Sequence, residues 1–548
     1  MAHALAGKPV QEQDIIDVQT IVDAYFDNVP DMTNPTQLVS FGTSGHRGTS
    51  VDGTFTDLHV AAITQAICDG RKQFGATGPI FVGQDTHALS QPALVTVLEV
   101  LAGNGVTAMV DCDMAFVPTP SVSRAIIRYN EEHDDKADGI IITPSHNPPD
   151  NGGIKYNTII GGPADTVVTK WIEMRANEYL TAYCESEDFK RISIDNIEPT
   201  AQVPYDYKGL YVEELGDVIN MEAIKAAGPK VLVDTLGGSG ASYWNAIKER
   251  YGLDLTIIHD DYDPTFSFMT YDHDGKVRMD CSSTYVMASV INRIGDFDLA
   301  VGNDPDYDRY GIVVSSGLIS ANIFLTLAAR YLFTTRGWKN KGVGKTVVCT
   351  TMIDKWAADA ETPVFEVPVG FKYFSQLLFD GAIGIGGEES AGASFLKKDG
   401  TVWTTDKDGM IMALLSMEIM AVMGKSALKM ADEFVEEFGN PSFGRIDAPC
   451  KKEQKQILKQ MSAELITATT VDGDSITNIR TTSLYNDMPI DGVRVETDKG
   501  WFVARPSGTE DLYKIYGESY KGDLGLVALL TAGEEIVNAA LNGTIETE

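Results

Sequence analysis

GIIITPSHNPPDNGGIKYN, residues 139–157, carries the pattern on which the fold turns. It opens on three consecutive isoleucines behind a glycine, the composition of a short buried strand. The strand pattern breaks into a Pro- and Asn-rich loop with a single hydroxyl, Ser145, at its tip, and then into Gly152-Gly153-Ile154-Lys155. The same grammar recurs along the chain. Ile80-Phe-Val runs into GQDTHALS, Val231-Leu-Val-Asp into LGGSG, and Leu299-Ala-Val into GNDPDYD, and Thr346-Val-Val-Cys-Thr reads as a further strand. Between them, 56–74 and 92–101 have helical composition, and 410–423 reads as a buried helix containing Glu418. Strands that end in Gly/Asp-rich loops and are followed by helices specify α/β units on parallel or mixed sheets. In such folds the loops at strand C-termini gather the ligand-binding residues.

The chain has 548 residues, which at about 150 per domain gives three or four domains. Polar or Gly/Pro-containing breaks near 198–204, 315–317 and 439–444 place the boundaries, so the expected domains are 1–204, 205–318, 319–440 and 441–548. The last ends in an amphipathic helix over 524–541. A formal net charge of -34 argues against general binding to nucleic acid or anionic membranes, which select for basic faces. Any phosphate pocket here must build its own local patch of positive charge. Six cysteines without a C-x-x-C leave zinc ribbons and thioredoxin-type redox sites unsupported and fit a reducing cytoplasm. The N-terminus, MAHALAGKPVQEQD, lacks a basic start and a long apolar stretch, so no secretory signal is expected.

Four loops carry chemistry. A serine hydroxyl is a weak nucleophile without a base beside it. His146 follows Ser145 directly, Lys155 offers charge or a proton, and Gly152-Gly153 lets backbone approach an anion. In GNDPDYDRYG, 302–311, Asp304, Asp306 and Asp308 alternate, and three carboxylates this close repel unless a cation joins them. All-oxygen ligands favour Mg²⁺ or Mn²⁺. The calcium EF-hand pattern fails, because its glycine position is Arg309 and its final glutamate position is Ser315. In GIGGEESAGASF, 384–395, Glu388 and Glu389 can accept hydrogen bonds from vicinal hydroxyls, but adjacent residues cannot flank one glycosidic bond. In ARPSGTEDLYKIY, 504–516, Arg505, Ser507, Gly508 and Thr509 make a compact anion cradle with Lys514 nearby, and no Walker loop is present. FGTSGHRG, 41–48, adds Arg47 in a further Gly-rich loop. Each loop alone also reads as an ordinary turn or helix start. Together they supply a phosphoryl carrier, a divalent-metal site, a hydroxyl reader and a phosphate anchor.

FGTSGHRG, TPSHNP, GGIKYN, NDPDYDR, GGEESAGASF, TDKDG and RPSGTEDLYKIY occur in the order of the α-D-phosphohexomutases, and the chain resembles the bacterial glucose-type branch of that family over nearly its full length. The resemblance implies three related α/β domains with mixed sheets and a smaller C-terminal α+β domain around a central cleft. It implies that Ser145 is phosphorylated and that Asp304, Asp306 and Asp308 bind Mg²⁺ together with a phosphoserine oxygen. Glu388 and Ser390 would read sugar hydroxyls. Arg505, Ser507, Gly508 and Thr509 would hold the non-transferring phosphate, with Lys514 close by. Lys155 and Lys407 would move protons or stabilise charge, and Arg47, His146 and Arg309 would support the phosphoserine region. Relatives for glucosamine and mannose phosphates tend to carry Gln or Met where Glu389 stands. One departure is His87 in GQDTHALS, where many relatives have Arg.

The implied reaction interconverts glucose 1-phosphate and glucose 6-phosphate through glucose 1,6-bisphosphate, which would also serve as activator. The expected enzyme acts on sugar phosphates in the cytoplasm as a monomer or homodimer, with neither nucleic acid nor membrane as partner. A mutase for another hexose phosphate, a phosphatase and a non-catalytic sugar-phosphate-binding relative are the competing readings.

Overall fold

A computed structural model describes residues 2–42, 44–184, 189–506 and 512–545. The chain forms two compact units. One comprises Met1–Ala321, Ser375–Gly381 and Ser390–Leu428; the other comprises Asn322–Phe374, Ala382–Glu389 and Lys429–Glu548.

The first unit contains two α/β sheets. In the first sheet, Ile80–Gln84 is flanked in parallel by Asp138–Ile142 and Ala108–Asp111, and Gln202–Tyr205 extends it in parallel. Asn151–Asn157 then turns back antiparallel to Asp138–Ile142, and His46–Thr49 pairs antiparallel outside it. The two central strands are buried along their whole length, which is why they read as near-continuous apolar runs rather than alternating ones. The second sheet repeats this design. Val231–Asp234 lies between parallel neighbours Leu255–Ile258 and Leu299–Asn303, and Tyr310–Val314 returns antiparallel. The Ser145 and Asp304–Asp308 loops are thus equivalent connections, each leading from a parallel strand into its antiparallel return.

Three features outside the motifs hold this unit together. Residues 3–10 lie along residues 269–273, outside the strands of the second sheet but in its block, with Gly7 N donating to Tyr271 O at 2.8 Å and Val10 N to Met269 O at 3.0 Å. The helix Val18–Asp27 then packs on the first block through Ile21 and Tyr25, whose hydroxyl lies 2.9 Å from Thr96 Oγ1. The helix Gly409–Met423 is buried over most of its length, as its composition predicts, and Glu418 is satisfied by Asn220 N at 2.7 Å.

In the second unit, Gly342–Thr346 is flanked in parallel by Val364–Val367 and Ile383–Gly387. Here the sequence reading is displaced: the strand ends at Thr346 instead of starting there. Its two glycines hide the strand signal, and both are needed. A Cβ at Gly342 would collide with the Phe365 ring, and one at Gly344 would crowd Phe374 and Ile383. The apolar Val347-Val348 that suggested a strand packs instead with Ile490, Trp501 and Val503 of the C-terminal block.

That block is an antiparallel sheet in the order Ser442–Pro449, Leu512–Ser519, Gly500–Pro506, Pro489–Thr497, Asp474–Thr482, Thr470–Val471. The helix Gly522–Ile545 covers it with Leu526, Leu529, Leu530, Val537 and Leu541. Residues Gly522–Asn542 of this helix are long and apolar enough to cross a membrane by length and composition, and the residues just named are those that pack on the sheet.

Candidate active site

The Ser145 loop turns on backbone that only a constrained turn tolerates. Ser145 has φ +64°, the left-handed region that L-residues seldom adopt. Gly153, paired opposite Arg47, lets the loop close: a Cβ there would strike the Thr143 carbonyl and Pro144 Cα. Ser145 is buried, its Oγ donates to Asp304 Oδ2 at 2.9 Å, and His146 Nδ1 lies 3.3 Å away.

The aspartate loop meets it from the second sheet. Asp304, Asp306 and Asp308 are all buried, and an oxygen from each lies within 4.8 Å of the others. Tyr307, between them, also has positive φ, +63°, which brings the alternating carboxylates to one side. Lys155 Nζ bridges Asp306 Oδ2 at 2.6 Å and Asp308 Oδ2 at 3.1 Å, and Lys407 Nζ reaches Asp308 Oδ2 at 2.9 Å. Lys407 enters from the turn before the helix Gly409–Met423, whose N-cap Asp408 accepts from Ile411 N at 3.2 Å.

The charges order the titrations. Burial, then Asp306 and Asp308, push the Asp304 carboxyl well above the usual carboxylate range. Against its burial, Lys407, Lys155 and Arg309 hold Asp308 far below it. Lys155, although buried, is held protonated by Asp306 and Asp308. Burial and the nearby Arg309 lower His146 to about 3, so its imidazole is neutral at physiological pH.

Asp306 Oδ1 and Asp308 Oδ1 are buried and make no hydrogen bond. Two orphaned carboxylate oxygens beside a third carboxylate and a serine oxygen are what a hard divalent cation satisfies, so the residues fit Mg²⁺.

Arg47 lies 3.4 Å from Asn147 Oδ1 and 3.1 Å from Ser44 Oγ, on the flank of the Ser145 loop. Arg309 N caps Asp304 Oδ1 at 2.9 Å, and its guanidinium reaches Asp280 Oδ2 at 3.0 Å. Asp280, absent from the sequence reading, accepts from Arg309 and lies 3.8 Å from His146 Nε2, while Met279 N donates to His146 O at 3.2 Å. Thr119 was also missed. As the first residue of the helix Thr119–Glu132 it donates to Asp306 twice, from N to the main-chain oxygen at 2.9 Å and from Oγ1 to Oδ2 at 2.7 Å. The signal for it was VPTPS, a proline-flanked helix start.

Ser390 precedes Ala391, whose carbonyl accepts from Tyr310 N at 3.1 Å, so the end of the sugar loop is tied to the aspartate loop. In the other unit, Glu388 is buried at the C-terminal end of the strand Ile383–Gly387, and Glu389 Oε2 accepts from Thr346 Oγ1 at 3.3 Å. Arg505 and Lys514 are cross-strand partners, and Arg505 Nε donates to Ile490 O at 2.8 Å. Ser507, Gly508 and Thr509 lie outside the described residues.

Fold and site define a multidomain α/β enzyme of the phosphoryl-transferring isomerases. Four domain models of one family match in succession: phosphoglucomutase/phosphomannomutase alpha/beta/alpha domain I over 38–182, domain II over 210–317, domain III over 320–438, and the C-terminal domain over 447–524. The chain therefore belongs to the phosphoglucomutase/phosphomannomutase family. It is 46% identical over 539 residues to a phosphoglucomutase of Komagataeibacter xylinus, covering 97% of both chains. It is 27% identical over 528 residues to phosphoglucomutase 1 of Saccharomyces cerevisiae, covering 88% of each. Two solved structures share the fold. Parafusin (phosphoglucomutase) from Paramecium, in an open form, has a TM-score of 0.72 at 19% identity, covering 94% of this chain and 96% of that one. A family protein from Burkholderia thailandensis has a TM-score of 0.69 at 21% identity, covering 92% and 98%.

Proposed function

We propose that this protein is a phosphoglucomutase that interconverts α-D-glucose 1-phosphate and glucose 6-phosphate through a phosphoserine at Ser145 and a glucose 1,6-bisphosphate intermediate. The observation that carries the reading is a convergence: the Ser145 hydroxyl reaches Asp304 and lies beside a neutral His146, the three buried carboxylates lie within 4.8 Å of one another, and two lysines pair with Asp308. The family relationship to a phosphoglucomutase at 46% identity supports the choice of substrate.

In the forward half-reaction, the bond between phosphorus and Ser145 Oγ breaks as a sugar hydroxyl oxygen forms its own bond to phosphorus. The hydroxyl proton leaves to a base, and the serine oxygen regains a proton when it departs. After the bisphosphate turns over, its other phosphoryl group returns to Ser145. Such transfers are governed by positioning and charge neutralisation. Two unit charges 4 Å apart at an effective dielectric near 20 interact by about 4 kcal/mol, and each phosphate carries nearly two at neutral pH. A divalent cation held by Asp304, Asp306, Asp308 and the phosphoserine supplies Lewis-acid neutralisation when bound. Lys155, held protonated, suits charge stabilisation, with Lys407 beside it as a further candidate for charge stabilisation or proton transfer. Neutral His146 can exchange a hydrogen bond with the serine oxygen, and Arg47 and Arg309 flank the serine with positive charge. Glu388 and Ser390 would orient the sugar, while Arg505, Ser507, Gly508, Thr509 and Lys514 would hold the distal phosphate. We assign the domains to 1–204, 205–318, 319–440 and 441–548, and expect a cytoplasmic monomer or homodimer.

Glucose 1-phosphate, Mg²⁺ and a trace of glucose 1,6-bisphosphate should yield glucose 6-phosphate, and Ser145→Ala should abolish the turnover. Release of stoichiometric inorganic phosphate, or higher kcat/KM on mannose or glucosamine phosphates, would refute the assignment.

A further inference from the structure

His87 sits at none of the positions that touch substrate or metal in this reading, yet it is buried one loop behind Ser145. It follows Asp85, which continues the central strand Ile80–Gln84 and donates its own N–H to Ile142 O at 3.0 Å, beside the start of the serine loop. Asp85 is a hub. Its Oδ1 accepts from Ser90 Oγ at 2.5 Å and from His87 N at 3.0 Å. Its Oδ2 accepts from Thr143 Oγ1 at 2.6 Å and faces His87 Nδ1 at 2.8 Å.

Two arms run from this hub to the two ends of the reactive turn. Through Thr143, whose Oγ1 accepts from Ser145 N at 2.7 Å, it fixes the backbone entering the serine. Through His87, whose Nε2 lies 3.0 Å from the Asn147 carbonyl, it fixes the backbone leaving it. Asn147 in turn contacts Arg47 through its side chain. The Phe266 ring, 5.1 Å between centroids, packs against the imidazole from the second sheet's block.

Both partners of the imidazole are acceptors. A carboxylate and a main-chain carbonyl have no proton to give, so both ring nitrogens must carry one. A turn with φ +64° at Ser145 does not persist unless its surroundings over-determine it.

We propose that His87 is a positioning residue for phosphoryl transfer: as a doubly donating imidazolium it ties Asp85 to the Asn147 carbonyl and so holds Ser145 Oγ in line with the aspartate loop. The proposal rests on the phosphoserine reading above and concerns the geometry of that site rather than its substrate.

The test uses the full-length chain in two arms. In the first, His87→Gln, which can offer an N–H to only one of the two acceptors, is compared with His87→Arg, which can offer one to each. The glutamine variant should lose roughly 10- to 100-fold in kcat, as sub-ångström misplacement of reacting groups does. Its KM for glucose 1-phosphate should be unchanged, and Ser145 should charge correspondingly slowly from glucose 1,6-bisphosphate, followed by intact mass. The arginine variant should recover most of the rate. Wild-type kcat in His87→Gln, or a loss that arginine does not restore, overturns the proposal. The second arm needs no variant to fold. In ¹⁵N-histidine-labelled wild-type protein at pH 8, where a free imidazole is neutral, both nitrogens of His87 should bear protons. A neutral His87 overturns the proposal. A wild type without mutase turnover would sink the functional reading instead, and the nitrogen spectrum would still decide the network.

Discussion

Asp308 lies between two lysines, and its substitution separates the roles of charge and metal. Asp308→Asn removes a proposed Mg²⁺ ligand and leaves the ammonium groups of Lys155 and Lys407 with one anion fewer. We expect kcat/KM to fall by at least ~100-fold and half-saturating Mg²⁺ to rise, read by titrating Mg²⁺ in the coupled mutase assay. His146 gives a prediction of the opposite kind. Because burial and Arg309 keep it neutral down to about pH 3, its protonation does not shape activity between pH 5 and 8. His146→Gln should therefore lower the rate without moving the acidic limb of the pH–rate profile, and a displaced limb would contradict the assignment. Ser145 and the three aspartates were legible because each motif is contiguous and chemically odd: one hydroxyl in a proline loop, three acids in a row of five. Thr119, Asp280 and Asp85 were not. Thr119 finds Asp306 across 187 positions and Asp280 finds Arg309 across 29; the prolines around Thr119 mark a helix start, but no local pattern names a partner that far away.

At the scale of elements, apolar runs located the strands that are buried on both faces, such as Asp138–Ile142 and Val231–Asp234, almost to the residue. They failed at Gly342–Thr346, where the aromatic rings of neighbouring elements supply the apolar surface and the strand itself must be small. Helix starts depend on caps that a hydrophobic pattern does not report. The helix Asp57–Gly70 begins with Thr56, whose hydroxyl lies 2.9 Å from His59 Nδ1, and His59 Nε2 faces Gln37 O at 2.8 Å. Burial, then the stacked His46, lower His59 to about 3, against about 6.5 in an unfolded chain. Between these values the unfolded chain binds the extra proton, so stability present above about pH 6.5 is lost as the pH falls. Denaturant titrations of wild type and His59→Gln should show a shallower decline between about pH 6 and 4 in the variant. An identical slope would assign the acid sensitivity elsewhere.

Across the whole molecule, a net charge of -34 makes self-repulsion a term that solvent ions control. Raising salt from about 10 mM to 150 mM shortens the screening length from about 30 to 8 Å, so Tm should rise, with most of the gain before physiological ionic strength. Within the second unit a buried bidentate pair, Arg480 on Glu366, links the parallel sheet to the C-terminal block, and Arg494 donates to the Val347 carbonyl. Arg480→Met strands a buried carboxylate, at a cost of about 3–5 kcal/mol in chemical denaturation. A double change, Arg480→Met with Glu366→Leu, should recover much of that loss.

The leading strand of chain before residue 38 lies outside the first matched family domain, yet it is stitched across one α/β block and then seated on the other. Anyone trimming the gene to its recognisable core would cut the lashing between the block that bears Ser145 and the block that bears Asp304. The shortened enzyme would keep every side chain of the candidate site and lose a brace between the two blocks that carry them.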